Sequence, residues 1–175
     1  MRSVYTNDYR LIGSAILVLI LVALTITTLQ SGPPRFIHTL DFIFHEAGHV
    51  LFMPFGYLIG LMGGTLGQLM VPTAFTLYFW RKKEYVSSFA MLWWIGENLI
   101  DISLYIQDAV YRTLPLWNEN LLHDWHYILI EFGSLRHALT LGAAVRFVGA
   151  SIMLIAVLGI VWQIWRSTGV VGRKT

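Results

Sequence analysis

Long apolar runs dominate the chain and set its predicted architecture. Residues 11–29, 55–80, 86–106 and 147–165 each hold at most two charged side chains and approach or exceed the about 20 helical residues that cross a hydrocarbon core. A shorter stretch, 39–53, follows helical spacing but carries two His, one Glu and one Asp, and Pro54 then interrupts it. The pattern predicts an all-α integral membrane protein with about four transmembrane helices and a short re-entrant or interfacial helix.

The basic residues help to choose between two topologies. If 39–60 crosses the bilayer by itself, five spans result, with seven basic residues inside and four outside. If it does not, four spans result, both termini are cytoplasmic, and eight basic residues lie inside against three outside. Four spans also bring 45–49 and the loop 107–126 to one side. We therefore expect a multi-pass protein of the plasma (inner) membrane with its polar site toward the outer face.

Composition agrees with this class and excludes others. Hydrophobic residues make up 56% of the chain and charged residues 13%, whereas soluble domains carry roughly 25% charged residues. Cysteine is absent, so no thiolate can bind a metal or act as a nucleophile. The net charge of +2 and the lack of a basic stripe argue against a nucleic-acid partner. We expect residues 1–175 to form a single membrane domain in contact with lipids.

Glycine recurs at Gly56, Gly60 and Gly64, once per helical turn. Small residues at this spacing let two helix backbones approach closely in lipid. The pattern predicts a packing face, which could serve either a helix pair within the chain or a homodimer.

One short motif carries the strongest chemical signal. His45, Glu46 and His49 form an H-E-x-x-H sequence, which this composition would produce by chance in only about 0.006 matches per chain. On a helix the two imidazoles share one face and can bind one zinc ion, while Glu46 can act as general base on a metal-bound water. The motif predicts a zinc-dependent metallohydrolase.

Such a site needs a third protein ligand, and several residues compete for that place. Asp101 lies on a predicted polar stripe of the third span, and His123 and His126 lie in the following loop. Glu97 and Asp108 are weaker candidates. The remaining polar groups would support the ligands or a developing oxyanion: Asp108 and Asp124 as partners of ligating histidines, and His123, His126 or Asn98 near the oxyanion. Asp41 is predicted to lie at a helix start.

Residues 44–50 resemble the membrane-embedded zinc metalloproteases of the site-2 protease type, whose H-E-x-x-H helix is joined by an Asp from a later span. His45, Glu46 and His49 match that motif, and Asp101, preceded by Asn98, is similar to the later acidic ligand, without the family's neighbouring Pro and Gly. The resemblance implies a minimal or divergent zinc peptidase acting on a peptide or membrane-protein substrate. A zinc-dependent amidase or lipid hydrolase and a non-catalytic metal-binding protein are the alternatives.

Overall fold

A computed structural model describes residues 2–114 and 123–171, without the side chains of 2–8 and 169–171. The described residues form no strand, and the expectation of an all-α protein is confirmed. Short 3-10 turns, Met53–Phe55 and Leu135–His137, connect some of the helices. The helices are α1 (Arg2–Ser31), α2 (Arg35–Phe52), α3 (Tyr57–Arg81), α4 (Tyr85–Asp108), α5 (Asp124–Glu131) and α6 (Ala138–Val171).

Within the described ranges, three segments are long and apolar enough to cross a membrane: Tyr9–Ser31 in α1, Tyr57–Arg81 in α3, and Leu135–Thr168, which is mostly α6. These segments are compatible with a membrane protein. The predicted third span corresponds to α4, whose second half carries several polar side chains and which is not one of the three. Four spans therefore stay a prediction.

Helix α4 lies at the centre of the bundle and packs along α6. Gly96 and Gly149 make this approach possible, because a Cβ on either residue would lie 2.7 Å from the carbonyl oxygen of the other. Helix α1 joins the same core through Trp93, whose Nε1 donates to Thr25 Oγ1 over 2.8 Å. Apolar residues of the three helices fill this core: Leu21, Trp93, Ile100, Met153, Ala156 and Ile160.

The glycine face of α3 packs against α2 of the same chain. A Cβ on Gly63 would lie 2.7 Å from the Gly48 carbonyl oxygen, so these backbones touch. Gly60 and Gly64 are buried in the same contact, whereas Gly56 precedes α3 with a φ of 111°. Of the two uses that the sequence allows, the structure contains the internal helix pair. A homodimer through this face would have to displace α2.

Both ends of α2 open onto one cavity. Pro33, just before the helix, and Met53, just after it, line this cavity together with Asp101 and Tyr105 of α4. These α4 residues belong to its second half, away from the turn at 82–84 that joins α3 to α4. Helix α2 thus begins and ends at the same end of the bundle.

Candidate metal centre

The H-E-x-x-H residues lie in the second half of α2, where the helical repeat puts the two histidines on one face. Their ring centroids are 4.8 Å apart. Nε2 of His45 lies 3.0 Å from Asp124 Oδ2, and Nε2 of His49 lies 3.2 Å from the same oxygen. The three side chains are 12%, 19% and 8% exposed in the order His45, His49, Asp124. They form a group that could bind a metal ion, hereafter the His-His-Asp group.

The other ring nitrogen of each histidine has a partner that fixes its role. His49 Nδ1 lies 2.8 Å from the Gly60 carbonyl oxygen, and because a carbonyl only accepts, this nitrogen carries a hydrogen. His45 Nδ1 lies 2.7 Å from Gln68 Oε1, and the Gln68 amide nitrogen donates to Asn98 instead. His45 Nδ1 is therefore also a donor. Each Nε2 then carries either a second proton or a lone pair available to a metal.

The donor set fits a divalent metal ion. Four-coordinate zinc with bonds of about 2.0–2.2 Å holds its ligand atoms about 3.3 Å apart, close to the distances from Asp124 Oδ2 to the two nitrogens. Without a metal, Asp124 would face two imidazolium rings through one oxygen. A divalent ion replaces those two protons at the same total charge and leaves both imidazoles neutral. Nitrogen and oxygen ligands suit zinc and several other divalent transition metals, so the residues alone do not select the metal.

The start of α5 positions Asp124. His123 caps this helix, with its Nδ1 accepting from His126 N, and the Asp124 backbone N–H donates to Tyr105 Oη over 3.2 Å. Burial raises the pKa of Asp124, but hydrogen bonds from His45 and His49 outweigh burial and hold it below its ordinary value. The carboxyl group is therefore a carboxylate, the form that binds metals.

The ligands considered from the sequence have other partners. Asp101 Oδ1 lies 3.0 Å from Nδ1 of His38, at the start of α2, so this carboxylate is not in the His-His-Asp group. His126 Nδ1 donates to the Ala109 carbonyl oxygen over 2.7 Å. The carboxylate next to both H-E-x-x-H histidines is therefore that of Asp124, and Asp101 pairs with His38.

His123 and Asp108, two further ligand candidates, contact each other next to the start of α5. His123 Nε2 lies 3.4 Å from Asp108 Oδ2, and burial lowers the pKa of His123. Asp108 accepts hydrogen bonds from the backbone N–H groups of Thr113 and Leu114. Asp108 and His123 thus brace the residues around Asp124, and the histidine that Asp108 contacts is not part of the His-His-Asp group.

Glu46 lines the same cavity as the two histidines and Asp124. The cavity has a volume of about 600 Å³, enough for a small organic ligand or several residues of an extended peptide. Its walls combine this polar group with apolar side chains of several helices: Phe42, Met53, Leu61, Ile102 and Leu104. The carboxyl group of Glu46, two imidazoles and two further acidic side chains, Asp101 and Asp124, therefore border one accessible space.

Two residues of the site were not singled out as ligand partners from the sequence. Gln68 is the only amide side chain in the apolar run 55–80, and its contact with His45 depends on the packing of α3 against α2. Tyr105 contacts the backbone of Asp124 across the loop. A single amide in a largely apolar span is the signal that could have identified Gln68.

Comparison of the chain with models of known protein families, with curated proteins and with solved structures finds no match. The function of the site therefore has to be inferred from its geometry.

Proposed function

We propose that the chain is a zinc-dependent membrane metalloprotease in which His45, His49 and Asp124 bind the metal and Glu46 is the general base. The observation that carries this proposal is the convergence of two Nε2 atoms on one carboxylate oxygen, with both Nδ1 atoms engaged elsewhere. Buried ionisable groups in a membrane domain are costly and usually functional.

A bound zinc ion would polarise a water molecule and the substrate carbonyl. Glu46 borders the cavity beside the two histidines and takes the proton of the attacking water. The water oxygen bonds to the carbonyl carbon, the C–N bond breaks, and Glu46 returns the proton to the leaving amine. Asp124 keeps its negative charge throughout, since it serves as a ligand.

The test of this role is Glu46→Gln, which keeps the shape of the side chain but removes the base. We expect the variant to retain zinc and to lose turnover of labelled peptides by at least about 100-fold, the contribution of a general base. Glu131→Gln is a matched control, because Glu131 is exposed at the end of α5. Full activity of Glu46→Gln would exclude Glu46 as the base, whereas zinc binding by an inactive wild type would favour a non-catalytic metal protein.

The apolar walls of the cavity favour a second candidate, a zinc-dependent hydrolase of lipid amides. Leu61, Ile102 and Leu104 could contact an acyl chain as well as an apolar peptide side chain. The same metal and base would serve this reaction. Parallel assays of the purified protein on labelled peptides and on a fatty-acid amide in mixed micelles distinguish the two substrates.

The geometry of α2 supports the four-span topology with a re-entrant or interfacial α2. Both ends of α2 border the same cavity, and the basic turn Arg81–Lys83 lies at the other end of the bundle. With that turn cytoplasmic, the His-His-Asp group lies toward the outer face of the plasma membrane.

A further inference from the structure

Two acidic side chains outside the His-His-Asp group are buried together. Glu97 of α4 is 0% exposed and Asp41 of α2 is 1% exposed. Their carboxyl groups lie within hydrogen-bonding reach of each other. Asp41 Oδ2 and both oxygens of Glu97 have no hydrogen-bond donor among the described residues. Two adjacent carboxylates in this setting would repel each other without compensation.

The charges nearby do not neutralise the pair. Asp101 of α4 adds a further negative charge near the pair, and Asp101 itself pairs with His38 of α2 at 3.0 Å. Among the described residues, no Lys or Arg forms a salt bridge with Asp41 or Glu97. A proton shared by the two carboxyl groups removes the repulsion and supplies the missing donor.

Hydrogen bonds decide which carboxyl group carries the proton. Asp41 Oδ1 accepts from Trp94 Nε1 over 2.8 Å and from Asn98 Nδ2 over 3.1 Å, as a carboxylate does. Glu97 has no such donors, so it is the neutral acid and donates to Asp41 Oδ2. The Glu97 oxygen left without a donor is then an uncharged carbonyl, which costs less to bury than a charged one.

Asp41 is also the end of a chain of hydrogen bonds that leads to the His-His-Asp group. His45 Nδ1 donates to Gln68 Oε1, Gln68 Nε2 donates to Asn98 Oδ1 over 3.2 Å, and Asn98 Nδ2 donates to Asp41. Every donor in this chain points away from His45. A negative acceptor at the far end favours that direction, and the direction keeps the hydrogen of His45 on Nδ1 and its Nε2 free for a metal.

We propose that Asp41 and Glu97 form a buried proton-binding pair, with the proton on Glu97, that orients His45 through Asn98 and Gln68. The two carboxyl groups and the two amides are positioning residues, since none of them is in the His-His-Asp group. The second part of this proposal rests on the proposed metal site, but the first part does not.

The proton is tested by infrared spectroscopy of the wild type, with and without zinc. We expect the C=O stretch of a protonated carboxylic acid in both states, and its loss in Glu97→Gln. A wild type without this band, or a band that persists in Glu97→Gln, would overturn the assignment. Stabilisation of the wild type by Na⁺ together with a missing band would show that the pair holds a cation instead of a proton.

The effect on His45 is tested by two substitutions of Glu97 and by a substitution that interrupts the chain of hydrogen bonds. Glu97→Gln keeps a donor toward Asp41, so its zinc affinity should stay near the wild-type value. Glu97→Leu removes the donor, so its zinc affinity should fall. Asn98→Leu interrupts the chain and should weaken zinc binding by about 10–100-fold, the usual effect of losing a partner of a ligating histidine.

Nitrogen-15 NMR of zinc-free protein at alkaline pH separates this proposal from the metal site. We expect the His45 hydrogen on Nδ1 in the wild type and a mixture of tautomers in Asn98→Leu. A wild type that binds no added zinc but shows the expected tautomer would refute the metal site and retain the orienting role. An unchanged tautomer in Asn98→Leu would refute the orienting role itself.

Discussion

Gly64 gives the sharpest steric test of the His-His-Asp group. It faces the imidazole of His45, and a Cβ at this position would meet Nε2, Cε1 and Cδ2 of the ring, with the two carbons at 2.5 and 2.7 Å. Carbon atoms in contact normally stay about 3.5–4.0 Å apart, so Gly64→Ala must shift the ring by about 1 Å. A metal ligand tolerates a displacement of only about 0.2 Å. We therefore expect zinc affinity to fall by at least about 10-fold, as when a partner of a ligating histidine is lost.

The assay is competition between metal-free protein in detergent and a chromophoric zinc chelator. Thermal unfolding followed by circular dichroism reports whether the helices remain intact. Gly13→Ala is the control, because Gly13 is exposed in α1 and a Cβ there meets nothing within 4 Å. It should bind zinc as the wild type does. Wild-type zinc affinity and stoichiometry in Gly64→Ala would refute the position of His45 as a ligand.

Three further predictions test the packing, the support of Asp124 and the topology. Gly96→Ala should destabilise the protein by about 1–3 kcal/mol in thermal unfolding, because its Cβ would overlap α6, and a variant as stable as Gly13→Ala would contradict the close packing. His123→Ala should weaken zinc binding by about 10-fold in the chelator assay through the loss of a brace next to Asp124, and unchanged affinity would contradict that role. Because the chain has no cysteine, Lys82→Cys and Arg136→Cys each provide a single labelling site at an exposed position. An impermeant maleimide should label Lys82→Cys only from the cytoplasmic side and Arg136→Cys only from the outer side. Labelling of both variants from one common side would exclude four spans.

The helices and the pairing of the two histidines could be predicted from the sequence because they depend on local spacing. The i, i+4 interval of His45 and His49 puts both rings on one face of any helix that contains them. The spacing of Gly60 and Gly64 likewise predicts a close helix pair, and α2 is the partner within the chain. Long uncharged runs predict spans by length alone, as in α1 and α6.

The contact of Asp124 with the two histidines could not be predicted in this way because it depends on how distant elements pack. Asp124 contacts His45 from 79 residues further along the chain, across a loop whose path the sequence pattern does not specify. Asp101 has the expected helical spacing on α4, but His38, two turns before His45 on α2, pairs with its carboxylate. The helical spacing drew attention to Asp101, whereas the packing of α5 brings Asp124, predicted only as a partner of a ligating histidine, next to His45 and His49.

Zinc content per chain tests the central claim most directly. Elemental analysis of detergent-purified wild type, Asp124→Ala and Asp101→Ala compares the two carboxylates under one condition, with His45→Ala as the reference for a lost ligand. We expect about one zinc per chain in the wild type and in Asp101→Ala, and none in Asp124→Ala or His45→Ala. Zinc retained in Asp124→Ala but lost in Asp101→Ala, or no zinc in any preparation after metal is supplied, would contradict the proposed metal centre.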